Sequence, residues 1–91
     1  MTALEGLRTA IDKTDQQIIA LLAQRFIFTE AVGEYKAENK LDPQDPSREE
    51  QQFKKIAELS EQYGLKPDYA SDIYRKIIDI VISRHQELLS K

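Results

Sequence analysis

An all-α fold, with three helices per chain and a long first helix, is what this sequence predicts, assembled as an intertwined helical homodimer. Three observations lead there. An apolar heptad runs without a proline from Leu4 to Tyr35. Three glycines and three prolines in 91 residues are too few for a turn-rich all-β chain. The apolar stripe is also longer than one small globule can cover.

The first helix is expected from about Ala3 to about Asn39. Leu4, Ile11, Ile18, Arg25 and Val32 fill one heptad position, and Leu7, Thr14, Leu21, Phe28 and Tyr35 another. Gly6 and Gly33 weaken this helix slightly without breaking it. A second helix begins after the loop Lys40–Pro46, with Asp45 as N-cap and Pro46 at the first helical position. Its inner face reads Glu49, Phe53, Ile56, Ser60 and Tyr63, and Gly64 closes it. The third runs from about Pro67 to Ser90, with a stripe of Tyr74, Ile77, Ile78, Val81, His85 and Leu88. Residues 1–91 form a single domain on this reading.

Length dictates assembly. The first helix would be about 55 Å long at about 1.5 Å per residue, whereas a compact monomer of this size has a diameter near 31 Å, roughly. A second chain is expected to cover the overhang.

Composition excludes several chemistries. Without cysteine there are no disulfides, thiolate metal sites or Cys nucleophiles, and a single histidine makes no His cluster for a metal. No cofactor and no metal are expected. A net charge of −3 speaks against non-specific nucleic-acid binding. No apolar run approaches the roughly 18 residues of a membrane span, and the start has no signal-peptide pattern. A cytoplasmic protein with neither a nucleic-acid nor a membrane partner is the expectation.

Arg25 stands at an interior heptad position, where an unpaired guanidinium costs several kcal/mol, about 3–5. A buried structural ion pair is the plain alternative. Other polar groups accompany it on inward faces. Arg8 and Lys36 share a column beside the stripe, Glu49 opens the apolar row of the second helix next to Arg48, and His85 interrupts that of the third. Singly, Glu49 suits a first-turn acid and His85 a satisfied core residue. Together, Arg8, Arg25, Lys36 and Arg48 face only Glu49 and Asp45. This surplus of cations in an acidic chain predicts a small anionic guest, a dicarboxylate fitting best. Lys36 lies roughly 16 Å along the axis from Arg25, within convergence of two long side chains, whereas Arg8 lies roughly 25 Å away. In an antiparallel dimer, Arg8 of the partner subunit reaches the same ligand, which gives two equivalent shared sites.

These residues occur in ordered blocks. They are Leu7-Arg8-x-x-Ile11-Asp12-x-x-Asp15, Leu21-Leu22-Ala23-Gln24-Arg25, Val32-Gly33-Glu34-Tyr35-Lys36, Asp45-Pro46-Ser47-Arg48-Glu49 and Ile73-Tyr74-Arg75-Lys76-Ile77-Ile78. In that order and spacing the chain resembles the all-helical chorismate mutases over essentially its whole length. The resemblance implies an intertwined dimer and the Claisen rearrangement of chorismate to prephenate in Phe/Tyr biosynthesis, an isomerase reaction without cofactor. It implies Arg25, Lys36, Glu49 and His85 as catalytic residues. Arg8 and Arg25 would bind the substrate carboxylates, and Lys36 a carboxylate and the ether oxygen. Asp45 and Glu49 would meet the ring hydroxyl side, with Arg48 flanking. Two positions depart from the family, which often has Ser where Val81 stands and Gln or Glu where His85 stands. Val81 removes a hydrogen bond near the ring, and His85 is expected to act as a neutral donor. The alternatives are isochorismate–pyruvate lyase or aminodeoxychorismate mutase on the same fold, and a non-catalytic helical dimer that binds a partner.

Overall fold

The computed structural model describes residues 2–91. It contains α1 (Ala3–Glu38), α2 (Pro46–Tyr63) and α3 (Pro67–Leu89), with no strand among the described residues. The expected helix boundaries hold to within a residue. Thr2 and Glu5 form a reciprocal capping box at the start of α1. Asp45 caps α2 by accepting from the Arg48 backbone N–H at 3.1 Å, with Pro46 in the first turn. Gly64 ends α2 at φ 74°, in the left-handed region that glycine enters without a Cβ penalty.

The third helix organises the chain. It packs against both α1 and α2, and those two do not pack on each other among the described residues. Its inward stripe is the expected one: Ile77, Ile78 and His85 are buried, and Tyr74, Val81 and Leu88 half-buried. On α2, Ile56 and Ser60 are buried and Glu49 and Phe53 half-buried, as the spacing predicts. Tyr63 departs from that face and is 79% exposed. It is the last residue of α2 and only edges a hollow that it shares with Ala70 and Tyr74 of α3.

The first helix is continuous through Gly33, the only residue of it that is buried. The long axis of the molecule, 56 Å, is the length of this helix, and the radius of gyration is 16.5 Å. A compact chain of this length would have about 12 Å. From about the middle of α1, Ile18, Leu22 and Arg25 share a hollow with Ile73, Tyr74 and Ile77 of α3. Along α1 up to and including that hollow, Leu4, Leu7, Ile11, Ile18 and Leu21 are 49–64% exposed.

Candidate active site

The turn after α1 sets the site's edge. Lys40 adopts φ 55°, and the Leu41 N–H returns to the Lys36 carbonyl at 2.8 Å, closing the helix in a Schellman-like loop. Asp42 then accepts from the Gln44 N–H. This fold of the chain places the Pro43 carbonyl 3.2 Å from Lys36 Nζ, which donates to it, and delivers Asp45 to the start of α2.

Between this loop and the three helices lies a cleft of about 280 Å³. From α1 it takes Arg25, Phe28, Thr29, Val32 and Lys36; from the loop, Pro43 and Asp45. Arg48, Glu49 and Gln52 of α2 face Ile78, Val81, Ile82 and His85 of α3. Seven of the eight site residues read from the sequence therefore share one wall-to-wall cavity. The eighth, Arg8, sits on the exposed overhang of α1, outside it. A larger hollow of about 610 Å³ shares Thr29, Val81 and His85, but it offers Arg84 already paired with Glu30 and Glu87. The smaller cleft gathers Arg25, Lys36 and Arg48, none of which has an ion-pair partner among the described residues.

Three cations and two carboxylates line it, and the carboxylates are already engaged. Asp45 caps α2 through Oδ1. Glu49 Oε1 pairs with Arg75 Nη2 at 2.9 Å. Arg25 has no acid of its own. Its guanidinium lies 5.5 Å from the centre of the Tyr74 ring, and its Nη1 is buried without a hydrogen-bond partner. Such an unmet buried donor costs about 1–3 kcal/mol, so the structural ion pair considered for Arg25 is not what holds it. An anion seated among Arg25, Lys36 and Arg48 would satisfy it.

His85 is 4% exposed, and Gly33 explains how it fits. A Cβ on Gly33 would stand 2.5 Å from His85 Cδ2 and 2.9 Å from Nε2, so only glycine lets the imidazole lie against α1. There Nε2 reaches the Thr29 carbonyl at 2.8 Å. A carbonyl oxygen only accepts, so Nε2 carries the proton in this contact. Nδ1 is buried and without a protein partner. In a neutral ring the single N–H is the one given to Thr29 in this contact. Only the imidazolium has a second N–H to offer. Val81, half-buried beside it, adds no donor.

Sequence reasoning left out Thr29, Gly33, Gln52 and Arg75. The role of Thr29 is carried by a backbone carbonyl, which leaves no signal in the residue type. Gly33 was legible only as a weak point in a helix. Arg75 had one available signal, an i,i+4 acid at Asp79, with which it pairs at 2.9 Å.

With this geometry in place, comparison with known proteins is decisive. Residues 7–86 match the family described as chorismate mutase type II. The chain belongs to that family. It is 34% identical over 91 residues to a bifunctional chorismate mutase/prephenate dehydratase of Aquifex aeolicus, covering 97% of this chain and 25% of that protein. It is 30% identical over 84 residues to the protein of the same name from Buchnera aphidicola, covering 92% of this chain and 22% of the relative. A T-protein of Enterobacter agglomerans is 32% identical over 75 residues, covering 82% and 20%. The chain thus spans a quarter or less of the length of these relatives. The family and its helical fold agree with the sequence reading. No helix among the described residues is long and apolar enough to cross a membrane.

Proposed function

We propose that this chain, as one chorismate mutase-like domain working in the cytoplasm, converts chorismate to prephenate by positioning and electrostatics. Family membership supports the reading, and one observation carries it: Arg25 Nη1 is buried and unpartnered in a cleft that also holds Lys36 and Arg48. The rearrangement is unimolecular. A C–O bond breaks as a C–C bond forms, and no proton, metal or external nucleophile takes part. The protein's contribution is to hold the flexible diacid in a compact chair with the bond-forming carbons together. Arg25 binds one carboxylate. Lys36, 3.2 Å from the Pro43 carbonyl, is aimed at the cleft and serves a carboxylate and the ether oxygen. Negative charge grows on that oxygen as the C–O bond breaks, and a donor fixed beforehand stabilises it more than the ground state. Glu49 accepts from the ring hydroxyl, with Asp45 beside it and Arg48 flanking.

The proposed working unit is an antiparallel, intertwined homodimer. The apolar overhang of α1 supports it, as does the distance of Arg8 from its own cleft, roughly 25 Å along the helix from Arg25. Arg8 of the partner subunit would bind the second carboxylate. Purified protein incubated with chorismate should yield prephenate by proton NMR. Release of pyruvate from isochorismate instead would identify a lyase, and inertness toward chorismate would refute the mutase. Sedimentation at micromolar concentration should give about twice 10.5 kDa.

A further inference from the structure

Glu49 does not stand alone in the cleft wall. Its Oε1 is 2.9 Å from Arg75 Nη2, an ion pair that joins α2 to α3. Arg75 is itself fixed from two other directions. Asp79, one turn on along α3, accepts from its Nε at 3.1 Å and pairs with Nη2 at 2.9 Å. The guanidinium carbon lies 5.3 Å from the centre of the Phe53 ring. Phe53 follows Glu49 by four residues, so the two side chains rise from one face of α2 and meet the same guanidinium. Arg75 does not line the cleft; Glu49 does. The side chain of Glu49 is 20% exposed, against 44% for Arg75, so the pair runs from the cleft outward to solvent.

An ordinary surface ion pair contributes little to stability, about 0–1 kcal/mol, which is too little to account for a guanidinium clamped three ways. A carboxylate that must present one oxygen to a ligand has a different requirement. It has to keep its charge among Arg25, Lys36 and Arg48 without swinging over to pair with them. We infer that Arg75, fixed by Asp79 and Phe53, is a positioning residue of this site, holding Glu49 by Oε1 so that the other carboxylate oxygen is left for a hydroxyl donor on the ligand. The inference rests on the function proposed above and specifies how its acceptor is held. Its chemistry requires a guest with a hydroxyl, or another neutral donor, opposite the end bound by the cations.

A double-mutant cycle on chorismate turnover tests it. Arg75→Gln should lower kcat/KM about 10-fold to 100-fold, the scale on which roughly 1 Å of misplacement acts. Asp79→Asn should lower it less, and Arg75→Lys should recover part of the loss. In a Glu49→Gln background, Arg75→Gln should cost nothing further, because the group it positions is gone. Losses that multiply would show that Arg75 acts on something other than Glu49 and would overturn the inference. So would a wild-type rate in Arg75→Gln. If Arg75→Gln does not fold, Arg75→Lys carries the same cycle. A wild-type protein inert toward chorismate would instead defeat the proposed function, and this inference with it. An active protein with an additive cycle would defeat the inference alone.

Discussion

Two glycines in one helix should respond to alanine in opposite directions. Gly6 and Gly33 both lie inside α1, where alanine is better than glycine by about 1 kcal/mol. At Gly6 a Cβ would meet nothing within 4 Å, and position 6 lies off the apolar heptad stripe, so a second chain would not cover it. Gly6→Ala should therefore stabilise by about 1 kcal/mol. At Gly33 the same Cβ would stand 2.5 Å from His85 Cδ2 and 2.8 Å from Leu88 Cδ1. Either α1 and α3 move apart, an overpacking cost of about 1–3 kcal/mol, or the imidazole leaves and abandons the Thr29 carbonyl, at about 1–3 kcal/mol. The helix gain is common to both sites and cancels in the comparison. Gly33→Ala should thus be less stable than Gly6→Ala by about 1–3 kcal/mol. Urea unfolding of the two variants at equal protein concentration measures this, provided the denaturant slope is unchanged. Most of the difference should vanish in a His85→Ala background, leaving the flexible end of Leu88 to adjust. If Gly33→Ala stabilises as much as Gly6→Ala, the ring is not seated against Gly33, and the tautomer derived for His85 falls with it.

Other outcomes follow from the site and its surroundings. Mixing inactive Arg8→Ala and Arg25→Ala chains should restore turnover through heterodimers with one intact site; no recovery despite proven subunit exchange would place both arginines in one chain's site. The Arg84 hydrogen bond holds Glu30 below the usual range of a glutamate carboxyl, so this pair's stabilisation is complete above that range. It should be lost as pH falls from there through the lowered value of the folded state, and Glu30→Gln should flatten that part of a stability–pH curve.

The helix ends were legible because their signals are local. Asp45-Pro46 and Gly64 impose backbone geometry whatever surrounds them. The candidate site was legible for a related reason: charges at core positions of an amphipathic helix stand out against its period, and Arg25 and His85, which line one cleft, were singled out that way. What escaped depends on packing between helices. The pairing of Arg75 with Glu49 exists only because α2 and α3 cross there. The seat of His85 exists only because α1 offers a bare backbone at Gly33 and a carbonyl at Thr29. Neither can be read from one helix at a time. The partner of His85 escaped for the same reason, since the backbone carbonyl that takes its N–H carries no side-chain signal. Tyr63 followed the correct period yet lies outside the core, because periodicity gives a face but not the distance over which that face is covered.

The overhang of α1 bears on all of this, because the site carries unmet polar groups and the chain has little core to offset them. No large side chain is fully buried among the described residues. Arg25 Nη1 and His85 Nδ1 each cost about 1–3 kcal/mol while unpartnered. Typical domains are stable by only about 5–15 kcal/mol in total. The exposed stripe from Leu4 to Leu21 is apolar surface that could make up part of the difference. Ile11 decides whether it does. In the single chain this residue is 57% exposed, so Ile11→Glu would change little if the chain worked alone, within about 0.5 kcal/mol as for most surface substitutions. In the proposed dimer its side chain enters the seam, and an unpaired carboxylate there costs several kcal/mol, about 3–5. The variant should then sediment at half the wild-type mass, lose the concentration dependence of its Tm and turn over no chorismate, although every residue lining its own cleft is intact. A variant that keeps wild-type sedimentation and turnover would show that the seam does not run over Ile11, and that Arg8 does not reach a neighbouring site by this route.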